Sequence, residues 1–265
     1  MQLPVAMCGS AAFLNVMPIH WTDVPPAGPY RWTLLGGIVI SAIYWWVRSK
    51  KNPDMLPIFI GALGGAFLGA KIAYLLAEGW RDWTLPDCWL RLATGKSIVG
   101  GLLGGYAGVE WMKWLVGYNK PTGDAFAFIV PIGLALGRVG CCLQGCCLGR
   151  PTTLHLLAAR DALGVPRWPA AQVELAFQLV MFVVLLAMAR QERFRGRLFF
   201  FYLMVYGVFR FCHEFVRDTP VELAGLSGYQ WMSLVMAVLG AVMFVRRGRE
   251  MARTRLEQDV VALTP

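Results

Sequence analysis

The chain of 265 residues is poor in charge: 15% of its residues are Asp, Glu, Lys or Arg, whereas 57% are hydrophobic. An average soluble domain is about one-quarter charged, so this composition excludes an ordinary water-soluble fold. The net charge of +9 comes from basic residues in short stretches beside apolar segments, without a basic face on a soluble domain. We therefore expect an integral membrane protein that does not bind nucleic acid.

Positive charge is absent from residues 1–30, which contain neither Lys nor Arg. A secretory signal peptide needs a basic region, so we interpret residues 1–29 as a periplasmic N-terminal arm. Histidine is scarce as well, with 3 in the chain, and only His155 lies close to the main cysteine-rich stretch. That stretch also lacks the C-x₂-C spacing of zinc modules, so we predict no metal and no cofactor.

Long apolar runs take the place of the missing charge. Seven segments come close to the roughly 20 residues that a helix needs to cross a bilayer. They are 31–47, 55–79, 97–117, 123–143, 170–189, 198–216 and 226–245. Helices are expected because lipid offers no water to unpaired backbone groups. The sequence therefore predicts an all-α integral membrane protein with seven transmembrane helices in one domain, 30–246, and a polar tail, 247–265.

The basic residues predict the orientation of these helices. They cluster after the first, third, fifth and seventh segments, whereas the intervening loops are mixed or acidic. Because cytoplasmic loops carry the excess of Lys and Arg, the N-terminus is predicted to be periplasmic and the C-terminus cytoplasmic. The longest linker, 149–169, then faces the periplasm. The sequence therefore predicts a multi-pass membrane protein.

Glycines recur four apart in "GALGGAFLGA" (61–70) and "GGLLGGYAG" (100–108). This spacing lets helix backbones approach closely, so tight helix packing is the main expectation. Glycines also make room for a lipid chain or head group, which makes Gly100 and Gly101 candidates for substrate binding.

Ionisable side chains within the apolar segments are costly and therefore suggest a function. Lys71, Arg138 and Arg210 stand on three different segments near one membrane depth, which favours an anion site. A phospholipid phosphate is the expected anion, because Arg grips phosphate with a two-pronged fork. Tyr206 and Glu214 stand four residues to either side of Arg210 and share its helix face. The alternative is structural ion pairing between neighbouring charges. The pairs would be Arg210 with Glu214 and Arg138 with Glu174.

Several blocks resemble, in the same order, the bacterial phosphatidylglycerol–prolipoprotein diacylglyceryl transferases. They are "GAFLGAKIAYLL", "SIVGGLLGG", "GDAFAFIVPIGLALGRVG", "GRVGCCLQGCCLGRPT", "WPAAQVEL", "YGVFRFCHEFVRD" and "LSGYQWMSLVM". The similarity covers about residues 30–245. It implies a seven-helix inner-membrane enzyme that moves a diacylglyceryl group from phosphatidylglycerol to the lipobox cysteine of a prolipoprotein and releases glycerol phosphate.

The resemblance also implies roles for single residues. Arg138 and Arg210 match the arginines that hold the donor, and together with Tyr206 and Glu214 they are predicted to be catalytic. The remaining predictions are substrate-binding residues, and they are Lys71, Gly100, Gly101, Gly140, Gly145, Arg150, Glu174 and Arg217.

The chain departs from the family pattern where acid–base chemistry is expected. Val99 stands where the family has a histidine, and Cys141 and Cys146 stand where it has asparagine and glutamate. His213, beside Glu214, is one candidate for a replacement base. The half of the motif set that holds phosphate is retained, whereas the acid–base half is not.

Four of the seven cysteines lie in "GRVGCCLQGCCLGRPT", at 141, 142, 146 and 147. Four interpretations stay open: apolar packing, a disulfide on the oxidising side, a metal site, and reactive thiols with pKa values lowered by the neighbouring arginines. The last interpretation makes Cys141 and Cys146 candidate catalytic residues. The alternative function is a non-transferring membrane protein that binds phospholipid and uses its cysteine pairs for redox or ion binding.

Overall fold

The computed structural model describes residues 28–83, 88–153, 158–161, 163–221 and 224–263. Most of the predicted arm 1–29 and His155 lie outside these residues. The helices are α1 Pro29–Ser49, α2 Met55–Tyr74, α3 Trp80–Asp82, α4 Cys88–Thr94, α5 Ile98–Leu115, α6 Gly123–Gln144, α7 Ala170–Ala189, α8 Leu198–Glu214 and α9 Gly228–Leu263. A π-helical stretch, Leu75–Gly79, joins α2 to α3, and a 3₁₀ turn, Glu192–Phe194, precedes α8.

Within the described ranges, four helical stretches are long and apolar enough to cross a membrane. They are Met55–Asp82, Gly123–Gln144, Ala170–Ala189 and Gly228–Glu257. The chain is therefore a mostly helical protein with the composition of a multi-pass membrane protein. The all-α expectation needs one addition, because β1 (Ala159–Arg160) pairs with β2 (Pro166–Arg167) as an antiparallel ribbon in the linker 149–169.

The polar tail is helical, which the sequence analysis did not predict. Helix α9 runs on to Leu263. The side chains of Arg246 and Arg247 lie 2.9 Å and 3.1 Å from the Glu250 carboxylate. Pairs spaced three or four residues apart support an exposed helix, so the segment continues α9 instead of forming a separate extension.

Helices α2 and α5 touch through their glycines. A Cβ placed on Gly65 would lie 2.9 Å from the Cα of Gly108 and closer still to the Gly104 carbonyl oxygen. A Cβ on Gly69 would lie 2.7 Å from the Cα of Gly104. Because these neighbours are backbone atoms, neither helix can accommodate a side chain at this seam. The predicted role of the glycine repeat in helix packing is confirmed.

The other helices complete the bundle in pairs. Helix α8 packs on α9, α6 packs on α7, and α1 packs mainly on α6. The start of α8 is held by Asp124 of α6, whose carboxylate accepts the backbone N–H of Gly196 at 2.5 Å and of Leu198 at 3.2 Å. Aromatic side chains fill the centre, where Trp45 packs on Phe126 with ring centroids 4.4 Å apart.

Candidate active site

A cavity of about 860 Å³ lies inside the bundle, a size typical of sites that hold small molecules. It follows α6 from Gly123 to Gln144, which is 22 residues and therefore about 33 Å of helix. A bilayer core is about 30 Å thick, so the cavity has the length of a membrane crossing. Most of its lining is apolar, and the side chains include Leu63, Phe67, Leu102, Ile129 and Phe199.

Arginine side chains gather at one end of this cavity. The Nη2 atom of Arg138 lies 2.7 Å from Oε2 of Glu174, and Nη1 of Arg210 lies 3.8 Å from the same oxygen. Glu214 sits between Nη2 of Arg210 at 2.8 Å and Nε of Arg217 at 3.5 Å. We call these five residues the arginine cluster. Three guanidinium groups against two carboxylates leave it with one surplus positive charge.

Both ion pairs of the structural alternative are therefore present, yet they do not use all of the arginine donors. The Nε atoms of Arg138 and Arg210 and the Nη1 atom of Arg217 are buried and have no hydrogen-bond partner within the described ranges. A buried donor without a partner is unfavourable. Since all three arginines line the cavity, their remaining donors suit an oxyanion placed there.

The predicted catalytic Tyr206 does not contact the cavity and reaches it only through Glu174 and Arg138. Its hydroxyl donates to Oε1 of Glu174 at 2.7 Å, and its ring stacks on Tyr202 with centroids 5.6 Å apart. Both Tyr206 and Glu174 are fully buried and do not line the cavity. Tyr206 therefore fixes the carboxylate that in turn orients Arg138, and neither Tyr206 nor the predicted substrate-binding Glu174 is in contact with the cavity.

The linker 149–169 is pinned beside the arginine cluster. Gly149 forms an antiparallel bridge with Arg217, and Nε of Arg150 donates to the Arg217 carbonyl oxygen at 3.0 Å. Arg150 thus holds the backbone of a cluster residue, although it was predicted to bind substrate. Within the linker, a hydrogen bond from Arg167 lowers the pKa of the Asp161 carboxyl.

Lys71 does not join the arginines, contrary to the prediction of three cations at one site. Its Nζ donates to the carbonyl oxygens of Leu92, Ala93 and Gly95, at 3.1 Å for the last two. Two of those carbonyls are in the last turn of α4 and the third directly follows it, and a cation at this end is favoured by the helix dipole. Lys71 therefore holds α4 against α2, and it is not a lining residue of the cavity.

Of the glycines predicted to bind substrate, some pack helices together or cap a helix, and one lines the cavity. Gly100 packs against Gly69 of α2 so closely that a side chain would collide, whereas Gly101 lines the cavity. Gly140 is buried within α6. Gly145 has φ of 66° and caps α6, which is the left-handed conformation that glycine tolerates best.

That cap brings the cysteines together. The N–H of Cys146 donates to the carbonyl oxygen of Cys141 at 3.1 Å and that of Gly145 to Cys142 at 3.3 Å, which is the Schellman pattern. The Sγ atoms of Cys141, Cys146 and Cys147 consequently lie within 4.8 Å of one another, and all four thiols of the motif are unbridged. The hydrogen bond with Cys141 and the charge of nearby arginines lower the pKa of Cys147.

Neither Val99, at the position of the family histidine, nor His213, the candidate replacement base, lines the cavity. Val99 is fully buried in the core. Nε2 of His213 faces the indole N–H of Trp168 at 3.4 Å, so that lone pair is engaged. The sequence analysis missed Glu78, which lines the cavity and is hydrogen-bonded to Tyr229. Its signal is the π-helical stretch around it, a distortion frequent at functional sites.

Fold and site together define a helical membrane protein whose bundle encloses an apolar cavity with an arginine cluster at one end. Comparison with known proteins makes this specific. Residues 27–246 match the family model described as prolipoprotein diacylglyceryl transferase. The chain belongs to the prolipoprotein diacylglyceryl transferase family, and the resemblance seen in the motifs is confirmed.

Two relatives illustrate the similarity, and both carry the name phosphatidylglycerol–prolipoprotein diacylglyceryl transferase. The protein from Bordetella parapertussis is 33% identical over 212 residues, which cover 76% of this chain and 77% of the relative. The protein from Cupriavidus metallidurans is 34% identical over 229 residues, which cover 79% of this chain and 80% of the relative.

Proposed function

We propose that this protein transfers a diacylglyceryl group from phosphatidylglycerol to a cysteine thiol of a prolipoprotein, or of a related acceptor, and releases glycerol phosphate. One observation carries the proposal: three arginines at the end of an apolar cavity have buried donors to which no described residue is hydrogen-bonded. A phospholipid has the matching polarity, with an anionic phosphate next to two acyl chains. The relatives are named for this reaction.

In the proposed reaction, the thiolate of the acceptor attacks the carbon that joins the diacylated glycerol to the phosphate oxygen. A C–S bond forms while the C–O bond to phosphate breaks, and the leaving oxygen takes the electron pair. Arg138 and Arg210 stabilise the charge that develops on this phosphate, which is the part of catalysis that fixed donors serve best. Glu78 is a carboxylate that lines the cavity and can take the thiol proton.

Access for the lipid is supported by the outer wall of the cavity. Phe67 and Leu63 of α2 line the cavity and are 75% and 51% exposed, and Leu34 of α1 is 38% exposed. An exposed apolar wall on a membrane protein faces lipid. A phospholipid would therefore reach the arginine cluster from the bilayer without crossing water.

The proposal includes seven transmembrane helices, α1, α2, α5, α6, α7, α8 and α9, in one domain at 30–246 of a bacterial inner-membrane protein. The N-terminus is periplasmic and the C-terminus cytoplasmic. Support comes from the basic residues past the membrane part of α9, among them Arg246, Arg249 and Arg253. The arginine cluster and the linker 149–169 then face the periplasm.

The test uses purified protein with labelled phosphatidylglycerol and a lipobox peptide, and it measures thioether product and glycerol phosphate. Removing one oxyanion-binding donor typically lowers kcat about 10²–10³-fold, so Arg138→Ala and Arg210→Ala are expected to fall at least that far. Arg160→Ala, at an exposed site in the linker, is the matched control. Unchanged turnover in either cluster variant, with the protein still folded by its unfolding temperature, would contradict the proposal.

The second candidate is a non-transferring protein that binds phospholipid and uses its thiols for another purpose. The specific observation in its favour is the group of three thiols beside the arginines, those of Cys141, Cys146 and Cys147, together with Val99 in place of a base. This candidate predicts that phosphatidylglycerol co-purifies with the protein but that no thioether product forms. For such a protein, Arg138→Ala would abolish lipid co-purification, and neither the wild type nor the variant would form product.

A further inference from the structure

Three thiols of the chain converge where α6 ends, at one edge of the cavity. They belong to Cys141, Cys146 and Cys147, and every pair of their Sγ atoms is within 4.8 Å. Cys142, the fourth cysteine of the motif, is outside this group, because it points about 100° further round the helix from Cys141. We call the three the thiol cluster.

The backbone is bent to build this cluster. Gly145 and Cys147 both have left-handed conformations, with φ of 66° and 59°. Glycine adopts this conformation without strain, but a residue with a side chain seldom does. Backbone strain of this kind is found mostly at functional sites. The strain turns the chain back on itself, so that Cys147 lines the same cavity edge as Cys141.

The distances suit a metal ion. A Zn–S bond is about 2.3 Å long, so two sulfurs on one tetrahedral ion lie roughly 3.8 Å apart. Sulfurs already within 4.8 Å can reach that separation by small rotations of their side chains. Thiolates select soft ions such as Zn²⁺ and Cu⁺ over hard ions such as Mg²⁺.

The surrounding charge suits a thiolate complex. Three thiolates with Zn²⁺ carry a net charge of −1, and with Cu⁺ they carry −2. Nη1 of Arg138 points at Sγ of Cys141 from 3.9 Å, and Arg217 lines the same cavity. Donors around the ligand atoms orient them and stabilise their charge. The arginine cluster, with its surplus positive charge, therefore offsets the negative charge of such a complex.

We propose that Cys141, Cys146 and Cys147 form a three-thiolate site for a soft metal ion of the class of Zn²⁺ and Cu⁺. The ligand atoms are the three Sγ atoms, and each thiol releases its proton on binding. Three protein ligands leave the fourth position of a tetrahedral ion open towards the cavity. The site does not depend on the transfer reaction proposed above.

The experiment measures metal binding to the full-length protein in detergent, reduced and stripped of metal beforehand. Zn²⁺ and Cu⁺ are added separately, unbound metal is removed, and bound metal is counted by mass spectrometry. The wild type is expected to keep one equivalent of Zn²⁺ or of Cu⁺ in the presence of excess Mg²⁺. Cu⁺ binding should also give thiolate-to-copper charge-transfer absorption.

Serine variants assign the ligands. Cys141→Ser, Cys146→Ser and Cys147→Ser are each expected to lose the bound ion and the charge-transfer band. Cys142→Ser, in the same motif but outside the thiol cluster, is expected to keep both. The unfolding temperature of each apo variant shows whether it is still folded. If a variant unfolds, the wild type is used in its place. Each of its cysteines is then tested for protection by the metal against a thiol-specific alkylating reagent.

Two results would overturn the site. One is that the reduced wild type retains neither ion. The other is that the variants do not distinguish the ligands, either because all three cluster variants still bind the ion or because Cys142→Ser loses it as the cluster variants do. Protection of Cys141, Cys146 and Cys147 from alkylation by the metal, with Cys142 still alkylated, would support it.

Discussion

Replacing Arg138 by lysine separates the two properties that the arginine cluster combines, positive charge and a planar fork of donors. Lysine keeps the charge, so the carboxylate of Glu174, which lies 2.7 Å from the Arg138 guanidinium, is not left without a cation. Lysine lacks the additional hydrogen-bond donors of the guanidinium group. In the structure Nη2 of Arg138 is used by Glu174, while Nε has no partner among the described residues and Nη1 faces Cys141.

The size of the effect follows from the lost hydrogen bond. A hydrogen bond to a charged group contributes about 1.5–3 kcal/mol. Each 1.36 kcal/mol is about a tenfold change in rate, so kcat/KM for glycerol phosphate release should fall about 10- to 150-fold. The unfolding temperature should change little, since the buried carboxylate keeps a cationic partner. Arg138→Ala removes the nearer of the two cations beside Glu174 and leaves only Arg210, 3.8 Å from the same oxygen, so this variant should lose up to about 3–5 kcal/mol of stability, the cost typical of a broken buried pair.

The assay is turnover of phosphatidylglycerol in nanodiscs, with unfolding temperature measured on the same preparation. Arg160→Lys, in the exposed linker, controls for a general effect of the exchange. If Arg138→Lys turns over phosphatidylglycerol like the wild type, the fork does not hold phosphate, and charge alone accounts for the residue. If it unfolds as readily as Arg138→Ala, the cluster serves mainly to hold the helices together.

Two further predictions concern stability. Gly65→Ala should destabilise the protein by about 1–3 kcal/mol, because its new methyl group meets α5 backbone, whereas Gly64→Ala, with open space around it, should be neutral or slightly stabilising. Unfolding in detergent measures both, and equal effects would contradict close α2–α5 contact. The lowered pKa of the Asp161 carboxyl means that its bond to Arg167 stabilises the linker above the ordinary pKa of 3.8 and is lost as pH falls below it. The difference in unfolding temperature between wild type and Asp161→Asn should therefore shrink between pH 5 and about pH 3, and a difference independent of pH would contradict it.

The helices that the sequence predicts best are those whose ends are marked by charge or by proline. The predicted segments begin at 55, 123, 170 and 198, and the structure starts α2, α6, α7 and α8 at those residues. Apolar length sets these helices, and it can be read directly from the chain. Helix α4 could not be predicted, because 7 residues are too few to show a periodicity.

The misplacement of Lys71 follows from that missing helix. The depth of Lys71 along α2 can be read from the sequence. The carbonyl oxygens that bind its ammonium group lie at the end of α4 and just after it, and they come within reach only when the chain is folded. The Arg210–Glu214 pair was predictable because it lies within one helix turn. The contact of Arg138 with Glu174 was anticipated as an alternative, although nothing in the sequence shows that Glu174 also reaches Arg210.

The thiol cluster shows a limit of spacing arguments. The sequence analysis judged a metal site by the C-x₂-C pattern, which assumes ligands on either side of a tight turn. Here a left-handed glycine at 145 reverses the chain after α6 and folds Cys146 back onto Cys141. Cysteines five and six residues apart thereby meet, and a pattern search based on zinc modules does not include this arrangement.

The surplus positive charge of the arginine cluster has a consequence for any two ligands that use it. A phospholipid phosphate would neutralise this charge, and a metal ion held by three thiolates would do so as well, because that complex is itself negative. Two ligands that draw on one charge antagonise each other, and linkage requires the antagonism to be reciprocal. A metal would weaken phospholipid binding by the same factor by which phospholipid weakens metal binding. A rise in the concentration of either ligand would therefore lower the protein's affinity for the other.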